Sequence, residues 1–557
     1  MYNKLLTVFV LIIIKINCLA QPIIYTQKCF GSLSSESFND VIQTSDGNFI
    51  ATMNVGDIAS SDFTDAPFSY AAAVIKFDTS LNIIWKKYLG GTIPSIGSIG
   101  HGTDFSKLIQ TDDGSIFCFG GTNAADGIGV GNHGKSDLLL VKLDQNGNKI
   151  WSHVYGCPGD DSNVGMLVTY DKKIVFSGIS NGWSGDIPFH YGNGFSSDGQ
   201  LYKADSNGIL QWVKVLGGSE NDGLGWDIIA IDSTKYFFSL YSYSNDYDLS
   251  GTFGNADTLK RLMIIADTNG NILKKNIERA YLYYDYETIN QTKIINNKII
   301  GVGMGISTNP RYPTDPSHHG QEGLVEVYDT ALNLIKTKQF GGNNNDVFTA
   351  FCRDNHSNYY FTGRTNSING DITSALHNGS DYWLIKTDSN LVIQWSRTFG
   401  GSVKYGEDNR AKAKIFIIGT KLFYWWQSTH SLNLPDFDIE CGHYNPSEPT
   451  YSDAWVAIFD LNSKVGIEIK PSDIMTDNMF SIYPNPVSKI LNLKSNQPDN
   501  KKFKATIINS SGKIVVKLRF DNTELNKIDI SQLATGFYIF QIENQNGEIK
   551  NFKVTIN

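Results

Sequence analysis

The sequence has little cysteine: six residues in 557, one of which, Cys18, lies in the N-terminal apolar segment. The other five are widely spaced, with no Cys-x-x-Cys pair and no zinc-ligand spacing. This set excludes a disulfide framework and a structural zinc module. Two interpretations remain open, buried thiols inside strands or one isolated disulfide. The five are Cys29, Cys118, Cys157, Cys352 and Cys441.

The chain also lacks an excess of positive charge. Its 47 Lys and Arg residues are outnumbered by 56 Asp and Glu residues, which gives a net charge of −9. Because phosphate binding needs a basic patch and none stands out, no nucleic-acid partner is expected. The His-Glu-x-x-His zinc signature is missing as well.

The apolar run at residues 5–14 is too short to span a bilayer. It follows Lys4 and precedes Cys18-Leu19-Ala20, so a cationic start, an apolar stretch and a small-residue cleavage site come in the order of a secretory signal. A lipoprotein anchor at Cys18 is the weaker alternative. The sequence therefore predicts a signal peptide over residues 1–20 and a mature protein without a transmembrane helix.

One block recurs seven times along the rest of the chain. It comprises a strand, an Asp at a turn, a second strand that usually carries Trp seven positions after the Asp, and a Gly twelve positions after it. The Asp column consists of Asp78, Asp144, Asp205, Asp267, Asp329, Asp388 and Asp460, and the Gly column of Gly90, Gly156, Gly217, Gly341 and Gly400.

Each block predicts four antiparallel strands. In the second unit, alternating apolar residues and turn signals predict strands at residues 105–110, 115–120, 137–143 and 149–155. Asn146-Gly147 supplies residues that tolerate the positive φ of a tight hairpin. Four-stranded units in series are typical of propeller blades, so the sequence predicts an all-β fold with a seven-bladed β-propeller over residues 21–465.

The two ends of the repeat are incomplete in complementary ways. Asp460 is followed by no Trp strand and no Gly pair, whereas residues 23–31 look like such a strand with its Gly but lack the strands that should precede it. The N-terminal strand is therefore expected to complete the last blade. A closed ring would have no free strand edges.

The best copy of the repeat is Asp381-Tyr382-Trp383-Leu384-Ile385-Lys386-Thr387-Asp388, followed by Trp395 and Gly400-Gly401. It resembles the long propeller repeats of secreted bacterial proteins, and the resemblance covers roughly residues 21–462. The resemblance implies a scaffold and no particular activity.

A different module follows a predicted linker at residues 466–478. Apolar alternation and regular turn signals over residues 479–557 predict a small β-sandwich. Its motifs resemble the C-terminal sorting domain of the type IX secretion system of Bacteroidetes. They are Tyr483-Pro484-Asn485-Pro486, the turn with Gly512, and the segment with Gly536 and Tyr538. The resemblance implies passage through the type IX machinery, removal of the module, and release or attachment at the cell surface.

Candidate ligand-binding residues lie where the repeat breaks down, in the fourth and fifth units. Tyrosines there alternate with carboxylates, which suits sugars because rings stack on sugar faces and carboxylates accept hydroxyl protons. The alternative is that these aromatics only fill strand faces. The candidates are Tyr241, Tyr243, Tyr247, Tyr281, Tyr283, Tyr284, Asp285, Tyr286 and Glu287.

The long loops before the third strands carry recurring Asp and His residues. Asp57, Asp186 and Asp371 are candidate calcium ligands, calcium being the one cofactor considered. Alternatively, these Asp side chains cap their own loop backbones. His133, His318 and His377 each lie eleven positions before an anchor Asp, but blades so far apart cannot bring three imidazoles to one metal ion.

Two functions fit these observations. The first is an exported, monomeric binding or adhesion module for an extracellular glycan or protein, delivered to the cell surface or the medium by its C-terminal domain. The second is a polysaccharide-active hydrolase or lyase that uses carboxylates and tyrosines at the propeller mouth. The near-uniform repeats favour the first.

Overall fold

The computed structural model of the chain describes much of the region after residue 20. The described residues are 21–31, 36–55, 62–65, 71–91, 102–192, 196–251, 258–282, 288–306, 320–373, 380–400, 413–429, 441, 453–465, 480–483, 487, 489–495, 502–509, 514–521, 525–534, 536–543 and 549–556. The predicted signal peptide at 1–20 and the predicted linker at 466–478 lie outside them. Two compact units result, one of residues Tyr25–Phe459 and another that includes Asp460–Asn557.

The predicted all-β class is confirmed, since the described residues form strands and one 3-10 turn, Tyr247–Leu249. Seven four-stranded sheets are seen in the described part of residues 21–465. The first six each use four strands that are consecutive in the chain and pair as antiparallel neighbours.

The first three sheets contain β2 (Ser37–Gln43), β3 (Phe49–Val55), β4 (Ala71–Phe77), β5 (Ile83–Leu89); β6 (Thr103–Gln110), β7 (Ile116–Thr122), β8 (Asp137–Leu143), β9 (Lys149–Tyr155); and β10 (Asp161–Val168), β11 (Ile174–Ser180), β12 (Asp198–Ala204), β13 (Leu210–Leu216). The next three contain β14 (Asp222–Asp232), β15 (Lys235–Ser242), β16 (Thr258–Asp267), β17 (Ile272–Leu282); β18 (Thr288–Ile295), β19 (Lys298–Ile306), β20 (Gln321–Asp329), β21 (Leu334–Phe340); and β22 (Asp346–Arg353), β23 (Tyr359–Thr365), β24 (Asp381–Thr387), β25 (Ile393–Phe399).

The seventh sheet combines strands from distant parts of the chain. Its order is β1-β28-β27-β26, so the N-terminal strand lies at an edge of this sheet and pairs with β28. Its strands are β1 (Gln21–Phe30), β26 (Ala413–Ile418), β27 (Lys421–Thr429) and β28 (Asp453–Val465). The indole N–H of Trp455 donates to Gln27 at 2.9 Å, and Cys29 forms a disulfide with Cys441. One disulfide is thus the correct interpretation for that pair, while Cys118 and Cys157 are buried thiols.

Neighbouring sheets pack through their first strands. Strand β2 contacts β6, β6 contacts β10, and the series continues through β14, β18 and β22 to β26, which contacts β2. The interface of the seventh and first sheets is aromatic, with the Phe49 ring centroid 4.8 Å from Phe423 and 5.3 Å from Trp425. Burying side chains of this size contributes roughly 1.5–3 kcal/mol each.

The Asp and Trp columns of the repeat have clear structural roles. The Asp144 carboxylate accepts the backbone N–H groups of Asn146 and Asn148 at 2.9 and 2.8 Å, which fixes the hairpin between β8 and β9. The indole of Trp85, from the preceding sheet, covers Gly147 in that turn so closely that a Cβ there would collide with it. Trp151 and Trp212 contact Gly208 and Gly270 in the same way, so these three Trp residues each dock one sheet on a turn of the next.

The Gly column faces buried carboxylate pairs. A Cβ on Gly156 would collide with both Asp137 and Asp161, and Gly217 and Gly341 are enclosed in the same way. Burial raises the pKa of Asp137 to about 6, of Asp198 to about 7 and of Asp346 to about 6. The pairs that meet at these glycines are Asp137 with Asp161, Asp198 with Asp222, and Glu322 with Asp346.

The C-terminal unit contains a three-stranded sheet in the order β29-β30-β33 and a four-stranded sheet in the order β32-β31-β34-β35. Buried residues of both sheets, among them Leu491 and Phe540, belong to one apolar cluster. The strands are β29 (Phe480–Tyr483), β30 (Ile490–Ser495), β31 (Lys502–Asn509), β32 (Ile514–Asp521), β33 (Leu525–Asp529), β34 (Gly536–Glu543) and β35 (Ile549–Ile556).

Candidate functional site

A recurring irregularity marks the first strands of the sheets. In the first six sheets, the pairing of the first two strands contains a β-bulge or register shift near its start. A bulge adds an unpaired residue and re-aims the neighbouring side chains. The shifts fall between Phe38 and Asp40, Phe105 and Lys107, Asn163 and Met166, Leu224 and Ile228, Ile289 and Gln291, and Phe348 and Ala350.

Residues at most of these shifts line one cavity of about 520 Å³. All seven sheets contribute to its wall. Its volume lies in the usual range for small-molecule sites. The polar residues that line it are Asn39, Asp40, Ser106, Lys107, Asp227, Tyr241, Tyr243, Thr288, Asn290, Gln291, Thr349 and Lys414.

The first charged pair in the cavity joins Lys107 of the second sheet to Asp227 of the fourth. The Lys107 Nζ to Asp227 Oδ1 distance is 2.5 Å, and both side chains are less than one-fifth exposed. The other oxygen of Asp227 accepts the backbone N–H of Thr292 at 2.8 Å. Burial works to raise the pKa of the Asp227 carboxyl, but the charges of Lys107 and Lys414 lower it below its usual value. Asp227 is therefore an ionised acceptor.

The second charged pair joins Lys414 of the seventh sheet to Asp40 of the first, with 2.8 Å between Nζ and Oδ1. Asp40 Oδ2 also accepts the backbone N–H of Leu108 at 2.7 Å, so it bridges to the second sheet. Burial works to lower the pKa of Lys414, but Asp40 and Asp227 raise it above its usual value. The cavity wall therefore carries two positive and two negative side chains, which form two ion pairs and cancel in net charge.

The structure brings two of the predicted ligand residues to this cavity. Tyr241, in β15, and Tyr243, directly after that strand, both line it, and the Tyr241 hydroxyl accepts the backbone N–H of Ile289 at 3.3 Å. Tyr247 lies elsewhere, exposed in the 3-10 turn. Tyr281 belongs to β17. Tyr283, Tyr284, Asp285, Tyr286 and Glu287 lie outside the described residues.

The predicted calcium ligands make contacts of another kind. Asp186 Oδ2 accepts the backbone N–H of Gly156, and Asp371 Oδ2 that of Gly341, each at 3.1 Å. These two bonds join each loop to a residue of the Gly column thirty positions earlier in the chain, and neither is a cap of the loop's own backbone. Asp57 lies outside the described residues. Among the residues that are described, no three His, Cys, Asp or Glu side chains gather as a metal site.

The predicted loop histidines are described only in part. His133 lies between two carboxylates, with Nδ1 3.3 Å from Asp137 and Nε2 3.7 Å from Asp186. His318 and His377 fall outside the described residues.

The charged residues of the cavity were missed at the level of sequence. Lys107 and Asp227 are 120 positions apart, and no motif links them. A usable signal does exist: Asn39-Asp40 and Ser106-Lys107 are consecutive polar residues that interrupt the apolar and polar alternation of β2 and β6 at the same place, directly after Phe38 and Phe105. A polar pair in a strand that should be buried on both faces indicates an internal cavity.

The predicted sorting motifs are partly described. Tyr483 ends β29, and Gly536 and Tyr538 lie in β34. The Tyr538 hydroxyl donates to the carbonyl of Ala534 at 2.8 Å, and its ring is buried in the module's core. Pro484, Asn485, Pro486 and Gly512 lie outside the described residues.

Comparison with known families identifies the end of the chain. Residues 481–557 match the secretion system C-terminal sorting domain. No curated protein matches the chain. In the described residues, no helix is long and apolar enough to cross a bilayer. The sorting domain indicates handling by the type IX secretion system and a cell-surface or secreted location.

Several solved structures are similar over much of the chain. A fungal alcohol oxidase of the AA5 family, in complex with copper, is 8% identical, covers 96% of this chain and 100% of its own, and has a TM-score of 0.38. Hydrazine synthase from Kuenenia stuttgartiensis is 10% identical over 64% of this chain and 78% of its own, with a TM-score of 0.35. The extracellular domain of a hybrid two-component system from B. thetaiotaomicron is 9% identical over 93% and 73%, with a TM-score of 0.27. At such TM-scores no inference rests on these likenesses.

Proposed function

We propose that the chain is an exported seven-bladed β-propeller that binds an extracellular glycan in its central cavity, followed by a β-sandwich that directs its secretion. Seven consecutive four-stranded sheets, each packed on the next through its first strand and the seventh packed on the first, support the ring. The outer position of β1 in the seventh sheet supports closure by the N-terminal strand.

The observation that carries the binding function is the cavity to which all seven sheets contribute. It combines the rings of Tyr241 and Tyr243 with carboxylates and amides. Aromatic faces pack on sugar rings, and carboxylates accept hydroxyl protons. Ser106 adds a buried hydroxyl that has no hydrogen-bond partner among the described residues. A hydroxyl-rich ligand that reaches this wall would satisfy it.

The charges of the cavity favour binding over glycoside hydrolysis. A hydrolase of the usual kind needs one carboxyl that is protonated and able to donate. Asp227 is held ionised by Lys107 and Lys414, and Asp40 is engaged by Lys414 and the Leu108 N–H. Both carboxylates therefore serve as acceptors. Their balanced pairing with lysines suits a ligand without net charge.

A binding screen on the mature chain tests this proposal. Wild-type protein should bind a neutral oligosaccharide in isothermal titration, and Asp227→Asn or Tyr243→Ala should weaken that binding at least tenfold, because each removes a cavity contact worth about 1.4 kcal/mol or more. Asp160→Asn is the matched control, since Asp160 pairs with Lys135 at 3.0 Å on an exposed surface. Its affinity should match wild type.

Two results would contradict the proposal. If Asp227→Asn and Tyr243→Ala bind the oligosaccharide as tightly as wild type does, the cavity is not the binding site. New reducing ends or unsaturated products during incubation with polysaccharide would instead support the enzyme alternative. Melting temperatures of all variants show whether a loss of binding reflects a loss of fold.

A further inference from the structure

A cluster of exposed aromatic rings lies in loops of the third and fourth sheets. Trp183, Phe189 and Tyr247 are 57%, 44% and 59% exposed. Tyr191 joins them, because its ring centroid is 5.1 Å from that of Phe189 and 4.6 Å from that of Tyr247. Trp183 is linked to these three rings through His190, the residue between Phe189 and Tyr191, with 6.2 Å between the Trp183 and His190 ring centroids. These four residues, Trp183, Phe189, Tyr191 and Tyr247, are called the aromatic platform below.

The aromatic platform is anchored from beneath. Tyr191 packs against a small core of Cys157, Ile187 and Val215. Its backbone N–H donates to Asp198 at 2.7 Å. Burial and a hydrogen bond with Asp248 raise the pKa of the Tyr191 hydroxyl to about 12. The central ring is therefore held in place before any partner arrives, which lowers the entropic cost of binding.

Such a cluster differs from ordinary surface apolar residues. Single exposed hydrophobic side chains are normal on soluble proteins, whereas contiguous patches mark interaction sites. None of the four platform residues is among those that line the cavity. The platform is thus a second surface, carried by loops outside the ring of inner strands.

The surroundings of the platform select the kind of partner. Asp246 precedes Tyr247 in the chain, and Asp186 follows Trp183 by three positions. Carboxylates beside aromatic rings accept hydroxyl protons and repel anionic chains. The sorting domain places this surface outside the cell. A partner with apolar faces, many hydroxyls and no negative charge fits these conditions.

We propose that the aromatic platform binds a neutral polysaccharide chain, with Trp183 and Tyr247 stacking on separate sugar rings. Flat aromatic faces match the apolar faces of pyranose rings, and the nearby carboxylates accept their hydroxyl protons. This surface goes beyond the cavity site and does not depend on it. A long polysaccharide held on the platform would also keep its chain ends at a high local concentration near the protein.

Affinity gel electrophoresis of the mature protein tests the platform. Native gels would contain hydroxyethyl cellulose, galactomannan, xylan or laminarin as neutral probes, and polygalacturonate as the anionic probe. Wild type should be retarded by at least one neutral polysaccharide. Trp183→Ala and Tyr247→Ala should each weaken the apparent affinity for that polysaccharide at least tenfold. Tyr170→Ala is the control, because it removes a 70% exposed ring from the turn between β10 and β11, and its apparent affinity should match wild type.

Several outcomes would overturn the proposal. They are retardation by polygalacturonate alone, no retardation by any neutral probe, equal retardation of Trp183→Ala and wild type, or an equal loss in Tyr170→Ala. Sedimentation velocity tests one more alternative. If wild type self-associates and Trp183→Ala does not, the platform binds a second copy of the chain and not a polysaccharide.

Discussion

Thermal unfolding of the mature chain should occur at a lower temperature at pH 8 than at pH 5. The cause is the set of buried carboxylates at the Gly column, where burial raises the pKa from 3.8 to about 6 for Asp137, about 7 for Asp198 and about 6 for Asp346. The folded state therefore favours the protonated form. This contribution to stability is complete below about pH 4 and is lost as the pH rises through 6 to 7.

The expected effect is large because several pairs titrate in the same window. Between pH 5 and pH 8 the raised pKa values correspond to roughly 1.4 kcal/mol of unfolding free energy for Asp137 and for Asp346, and roughly 2.7 kcal/mol for Asp198. Acting together they should lower the melting temperature by on the order of 10 °C between pH 5 and pH 8. Differential scanning calorimetry at pH 5, 6, 7 and 8 measures the change.

A pair of variants isolates the cause of that pH dependence. Asp198→Asn replaces a titrating carboxyl with an amide that can still accept the Tyr191 N–H and donate to Asp222, so its melting temperature should vary less with pH. Asp144→Asn is the control, because hydrogen bonds from Asn148 and other turn groups lower the pKa of this exposed Asp and keep it ionised throughout the window. A wild-type melting temperature that is constant or rises from pH 5 to pH 8 would contradict the explanation.

Removal of the disulfide should destabilise the chain by about 4–5 kcal/mol. The Cys29–Cys441 bond spans 412 residues, and the entropy lost by the unfolded chain grows with the length of the closed loop. The bond also ties β1 to Cys441, which precedes β28 in the chain. Urea unfolding of the Cys29→Ser/Cys441→Ser double variant should therefore show a clearly lower midpoint than wild type.

The free thiol at Cys352 provides the control for the disulfide. Cys352→Ser removes a sulfur from the inner strand β22 without opening a covalent loop. A reducing agent should lower the urea midpoint of Cys352→Ser as it lowers that of wild type. The urea midpoint of the double variant, which has no disulfide, should stay the same. A double variant that unfolds at the wild-type urea concentration would show that the bond contributes nothing.

Much of the fold could be predicted from the repeat because each unit encodes its own strands and turn. The hairpin at Asp144, the stacking of Trp85 near the next turn and the outer position of β1 all depend on local pattern or on the two incomplete ends. The sequence shows the Gly column but not the reason why those positions need glycine. Gly156 is required by Asp137 and Asp161, which come from different sheets and meet only after those sheets pack.

The candidate site could be predicted only where the repeat changes. Tyr241 and Tyr243 stood out because their unit departs from the pattern, and both line the cavity. The pair of Lys107 and Asp227 could not be foreseen, since it depends on how the second and fourth sheets are oriented around the cavity. Trp183 was also overlooked, because a single exposed Trp in a loop has no periodicity to mark it.

Closure of the seven sheets can be measured through the amides of β28. This strand lies between β1 and β27, so it should be protected on both edges. In hydrogen-exchange mass spectrometry, deletion of residues 21–31 should cause a selective loss of protection in β28, while β8 of the second sheet stays protected. Cys29→Ser controls for loss of the disulfide. Unchanged protection of β28 in the deletion variant would contradict a ring closed by the N-terminal strand.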